Sequence, residues 1–124
     1  MTAKSIAAKS IAGRHILIVE DDVFVAEGLK LYLEAEEAVV LGPVASVVAA
    51  IDLLAACQRL DGAALDVNLE GTLAFPVADA LSERGVPFVF MTGYGAESIP
   101  GRFASVPTCT KPFQLADLVA LLLA

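Results

Sequence analysis

The chain has 124 residues, enough for one domain with one core but not for a core plus a separate output module. Fifteen acidic against eight basic residues give a net charge of −7, a poor match to a polyanion, so nucleic acid is not an expected partner. No apolar run approaches the roughly 18 residues of a membrane span, which excludes a membrane protein of the helical kind.

Hydrophobic content is 57% with no Trp, so the core is built from Ala, Val, Leu and Ile, as in a parallel sheet buried on both faces. The cysteines, Cys57 and Cys109, are far apart and read as buried, reduced thiols of a cytoplasmic protein.

Residues 1–14 carry Ala-Lys-Ser-Ile-Ala twice, at 3–7 and 8–12. Lys9 and Ser10 interrupt any signal-like apolar core, so this stretch reads as a tail before a domain spanning 15–124. His15 opens a strand that runs to Val19, and its side chain is expected to be solvated. Val25, Leu29, Tyr32 and Leu33 recur at helical spacing and predict a helix over 23–35, capped by Asp22.

Val39–Leu41 is a short second strand, stopped by Gly42-Pro43. Ser46 caps a helix that reaches about Leu60, with Val47, Val48, Ile51, Leu54 and Ala55 expected on its buried side. Asp61-Gly62 leads into an apolar run, 62–69, that delivers one carboxylate, Asp66. A polar connection over 68–72 follows, and Pro76 opens a helix that ends at Arg84-Gly85.

Val86–Met91 is the fourth strand. Beyond it Gly93, Gly95, Pro100 and Gly101 oppose regular structure, so the fourth helix is expected to be short or mobile. Pro107–Thr110 forms a brief strand before Lys111-Pro112. The last helix, over 113–123, carries Leu115, Leu118, Val119 and Leu122 on one stripe, with Leu121 and Leu123 partly outside it as a candidate partner surface. Five strand–helix alternations predict a three-layer α/β domain with a central five-stranded parallel sheet and right-handed crossovers.

In such a sheet the C-terminal strand ends share one edge, where open α/β sheets place their ligands. Glu20, Asp21 and Asp22, Asp66, Thr92 and Lys111 would then meet in one pocket. Each has an ordinary reading alone: Asp22 as a cap, Asp66 and Thr92 as turn residues, Lys111 as a solvated end. Together, converging carboxylates call for a cation, and with no His or Cys nearby an oxygen-preferring ion such as Mg²⁺ fits. Asp66 would be both ligand and nucleophile toward a phosphoryl group, with Lys111 as fixed charge and the Thr92 hydroxyl as hydrogen-bond donor.

From residue 15 to 124 these motifs resemble the response-regulator receiver domain of bacterial two-component signalling. The resemblance implies a flavodoxin/CheY-like (βα)5 fold, with Asp66 as phosphoacceptor and Glu20 and Asp21 as the acidic pair, Asp21 touching Mg²⁺ directly. It further implies that the Asn68 backbone carbonyl completes the metal shell, that Thr92 is the switch hydroxyl, and that Lys111 precedes a cis Pro112. The implied function is that of a stand-alone receiver, a monomer or weak dimer, phosphorylated by a sensor histidine kinase or histidine phosphotransfer protein. It would signal by protein contacts and catalyse only its own phosphotransfer and dephosphorylation.

The stretch from Pro87 through Phe-Val-Phe-Met-Thr-Gly to Tyr94 is similar to the receiver subgroup named for a Phe-Ala-Thr-Gly-x-Tyr-type motif, associated with kinases of the HWE or related type. Met91 stands where that motif has Ala. Thr108 occupies the position of the aromatic switch of many receivers, so Tyr94, Gly93 and the Gly-rich loop are expected to carry the switch instead. Two alternatives remain: a degenerate receiver that works without phosphate, and an aspartyl-phosphate hydrolase, whose first-strand Asp-x-Asp motif this chain's Glu20-Asp21-Asp22-Val23 does not fit.

Overall fold

The computed structural model describes residues 10–94 and 98–124. In chain order these form β1 (His15–Val19), α1 (Val23–Ala35), β2 (Val39–Val44), α2 (Val47–Ala56) and β3 (Gly62–Asp66). A ribbon of β4 (Asn68–Leu69) and β5 (Thr72–Leu73) follows, then α3 (Phe75–Glu83), β6 (Phe88–Thr92), a 3-10 turn (Gly101–Phe103), β7 (Thr108–Thr110) and α4 (Leu115–Leu123).

Five strands pair in parallel in the order β2-β1-β3-β6-β7. The chain moves outward from β1 to β2 and then returns past β1 to β3, so the winding direction reverses between β1 and β3. That switch point opens a crevice at the carboxyl ends of these two strands. Alternate residues of each strand feed opposite faces. Leu17, Val19, Leu65 and Phe90 join Ala50 and Leu54 of α2 and Val77 and Leu81 of α3 on one face. Ile16, Ile18, Ala64 and Val89 join Leu29 and Leu33 of α1 and Leu118 and Leu122 of α4 on the other. The result is the predicted three-layer α/β domain.

Several local expectations change. Ordered packing starts before residue 15: Ile11 is buried in the cluster with Ile16, Leu33 and Leu122, and the Gly13 amide donates to Glu37 O at 2.8 Å. An apolar side chain beside an open core outweighs the disorder usual at a terminus. The strand at 39–41 does not stop at Gly42-Pro43 but continues to Val44, with a register shift opposite Leu17–Val19 and cis geometry at Gly42-Pro43. Gly42 sits at φ +86°, where a Cβ would lie 2.8 Å from Val44 N, so only glycine fits.

The helix after Ser46, whose hydroxyl accepts from Ala49 N at 3.1 Å, ends at Ala56 rather than near Leu60. Its buried residues are Ala50 and Leu54, while Val48, Ile51 and Ala55 face outward. Its sequence, VVAAIDLLAA, is apolar nearly all round and offers little periodicity from which to choose a face. In the fourth crossover the described residues hold one 3-10 turn, with Phe103 buried and stacked on Phe75 at 5.8 Å; Gly95 lies outside the described residues.

His15 is half-buried rather than solvated, its Nδ1 3.6 Å from Asp61 Oδ2. It lies at the N-terminal end of β1, away from the crevice. Leu121 and Leu123 are half-buried against the core, so they do not form an outward patch. The exposed large apolar side chains include Val23, Phe24 and Leu31 on α1 instead.

Phe90 contacts Phe75, Phe88 and Phe103 edge-on, with ring centroids 5.3–6.1 Å apart. Phe90→Ala is expected to cost about 3–5 kcal/mol in urea denaturation. Val48→Ala, on the exposed face of α2, is expected to change stability by no more than about 0.5 kcal/mol.

Candidate functional site

Each site residue is placed by the strand it follows. The sheet ladder runs past the strand ends: Glu20 N donates to Val44 O at 2.9 Å, Val67 N to Met91 O at 3.0 Å, and Lys111 N to Thr92 O at 2.8 Å. These bonds fix the backbone from which Glu20, Asp66, Thr92 and Lys111 project. Glu20, Asp66 and Thr92 are buried, whereas Asp21 and Lys111 are half-buried. Asp22 caps α1, its Oδ1 accepting from Phe24 N at 2.9 Å and Val25 N at 3.2 Å, so the third acid of the run is structural.

Lys111 Nζ bridges the two buried acids, 2.7 Å from Glu20 Oε1 and 2.9 Å from Asp66 Oδ2. One carboxylate oxygen each from Glu20, Asp21 and Asp66 lies within 4.8 Å of the others. An all-oxygen, anionic donor set of this size suits a hard divalent cation, and these residues fit Mg²⁺ in chemistry. A cavity of about 540 Å³ opens over Asp66, with Asp21, Asn68, Thr92, Tyr94 and Lys111 in its lining.

Asn68 is exposed, its amide donating to Asp66 Oδ1 at 3.1 Å while its own Oδ1 accepts from Gly71 N at 2.7 Å. The side chain is thus committed to the turn. Thr92 Oγ1 accepts from Tyr94 N at 3.1 Å, and Gly93 and Tyr94 are both exposed at the rim. The Lys111-Pro112 bond is cis. Thr108 is not brought into this cavity: it is half-buried beside Phe90 on β7 and lines a separate hollow with Cys109 and Gln114.

Residues that sequence reasoning passed over also belong to the site, Glu70, Leu73 and Ser98 among them. Glu70 donates its amide to Asp21 Oδ2 at 2.9 Å, and Leu73 stands on the cavity rim, 52% exposed. Glu70 and Gly71 have φ of 54° and 88°, the signature of a two-residue hairpin turn. Glu-Gly between short extended segments was the available signal.

Burial, followed by the neighbouring Asp66, pushes the Glu20 carboxyl up to about 7. For Lys111, burial opposes the charge, but the hydrogen bonds to Glu20 and Asp66 outweigh it and hold the ammonium above its ordinary pKa. At neutral pH the Glu20 carboxyl therefore sits close to its midpoint, while Lys111 keeps its charge.

No family model matches the chain, and no curated protein matches it. Among solved structures, the solution structure of SdrG from Sphingomonas melonis Fr1 is 38% identical, with a TM-score of 0.77 over 94% of this chain and 100% of that one. The BeF3-activated conformation of SdrG from Pseudomonas melonis Fr1 is 39% identical, with a TM-score of 0.75 over 91% and 98%. The non-phosphorylated HemR receiver domain from Leptospira biflexa is 28% identical, with a TM-score of 0.73 over 88% and 90%.

A raised carboxyl pKa means that the folded state holds a proton the unfolded chain has released. Stability from Glu20 is present below 4.5 and is lost as pH rises through about 7. Denaturation midpoints of the chelator-treated protein should fall over that window, and Glu20→Gln should flatten the fall.

Proposed function

Because the chain belongs to the response-regulator receiver family, we propose that it accepts a phosphoryl group on Asp66 from a phosphohistidine and signals through protein contacts. The observation that carries this reading is the Lys111 ammonium bound to both Glu20 and Asp66 beneath an open cavity. Glu20, Asp21 and Asp66, with the Asn68 backbone carbonyl, would hold Mg²⁺, whose charge offsets that of the phosphoryl oxygens.

An Asp66 carboxylate oxygen attacks phosphorus, the P–N bond breaks, and the imidazole of the donor leaves and takes up a proton. Lys111 is already within hydrogen-bond distance of the accepting carboxylate, so it needs only to turn toward the new phosphoryl oxygens. Thr92 Oγ1 accepts from Tyr94 N, which leaves its hydroxyl hydrogen to donate to a phosphoryl oxygen. That shared hydroxyl links the phosphoryl group to Tyr94, giving an exposed aromatic the switch role for which Thr108 lacks a ring. The protein catalyses only its own phosphorylation and dephosphorylation. The BeF3-activated conformation of SdrG supports a phosphoryl-driven change in this family.

The donor is a sensor histidine kinase, of the HWE or related type, or a histidine phosphotransfer protein. Phe24, 89% exposed, lines a hollow of about 440 Å³ together with Gly28, Lys111, Pro112 and Phe113, next to the proposed phosphoacceptor. An apolar side chain at that place offers a donor protein a contact that a small phosphodonor does not need.

Intact-mass spectrometry after incubation with acetyl phosphate and Mg²⁺ should show one labile phosphoryl adduct, absent in Asp66→Asn and after chelation. No adduct in folded, Mg²⁺-binding protein would favour a receiver that works without phosphate. Phe24→Asp should slow phosphotransfer from the cognate kinase by about tenfold while leaving the acetyl phosphate reaction unchanged.

A further inference from the structure

The connection from Asp66 to α3 folds into a ribbon of two residues per strand, too short to stand alone. It leans on the acidic cluster. Asn68 N donates to Asp66 Oδ1 at 3.1 Å, and at the tip Glu70 N donates to Asp21 Oδ2 at 2.9 Å, joining residues 49 apart in sequence. Two of the three carboxylates that could hold a cation therefore each commit an oxygen to a ribbon amide.

We propose that the tip of the β4–β5 ribbon is a strap, fastened to Asp21 through the Glu70 amide and released when a divalent cation takes the Asp21 carboxylate, while Asn68 at the ribbon's base stays with the cation. This rests on the metal site of the proposed function. A backbone N–H bound to a carboxylate draws its strength from the unshared negative charge. A divalent ion withdraws that charge, and Mg²⁺ also demands near-octahedral placement of its ligands, which reorients the carboxylate. The turn has reason to relax once the bond weakens, since Glu70 is a non-glycine residue held at φ 54°. Glu70 and Leu73 line the same cavity as Asp66 and Tyr94, so a freed tip changes the rim that a phosphodonor meets. Linkage is reciprocal: whatever loosens the tip strengthens cation binding by the same factor.

The test is an NMR titration of the ¹⁵N-labelled full chain with Mg²⁺ alone. The Glu70 amide proton should move upfield as it leaves the carboxylate, and its order parameter should fall, alongside shifts at Asp66 and Thr92. Gly71→Val places a β-branched residue at φ +88° with open space around its Cβ, so it strains the turn without touching Asp21. Its Kd for Mg²⁺ is expected to fall about fivefold. Shifts at Asp66 with an unmoved Glu70 amide, or an unchanged Kd in Gly71→Val, would overturn the strap and leave the metal site standing. A spectrum in which Mg²⁺ moves none of these amides would overturn both.

Discussion

The structure turns on a single ammonium group. Glu20 and Asp66 are buried side by side at the ends of β1 and β3, and without Lys111 between them their mutual repulsion and lost hydration would oppose folding. Lys111 follows β7, two places from β3 and three from β1 in the sheet, so the contact forms only when β1, β3, β6 and β7 have all docked in register. Raising the Glu20 pKa to about 7 is the residual cost of that arrangement.

The sheet explains why so little chain suffices. Parallel pairing brings residues 20, 66, 92 and 111 to one edge without any dedicated loop, and the extension of the ladder past each strand holds their backbones rigidly. The less regular backbone lies beyond these anchors, in the two-residue strands of the ribbon after Asp66 and the exposed Gly93-Tyr94 step after Thr92.

Much of this was legible in the sequence, and the misses share a cause. Strands and α1 were readable because Ile16–Val19, Gly62–Leu65 and Phe88–Met91 are short unbroken apolar runs and because Asp22 stands where a cap belongs. The face of α2 was not, since a helix apolar on most sides carries no period. Gly42-Pro43 reads locally as a stop, yet pairing with β1 carries the strand through it as a bulge. Ile11 looked like tail because nothing local reveals that a core has a vacancy beside it. In the site, Asp66, Asp21, Thr92 and Lys111 were visible from the chemistry their strand ends share, whereas Glu70 takes part through its backbone amide, which any residue carries. Only the turn that aims that amide distinguishes it.

The irregular end of β2 has a further consequence, for behaviour in a crowded solution. A chain with 57% hydrophobic residues and an open sheet risks adding strands from its neighbours, since an unpaired edge is a template for another backbone. The two edges here are β2 and β7. Pro43 lacks an N–H to offer, the bulge at Gly42 breaks the regular spacing of donors and acceptors, and β7 is only three residues long. Among the described residues neither edge offers a long, regular run of donors and acceptors, which limits how readily another backbone could extend the sheet.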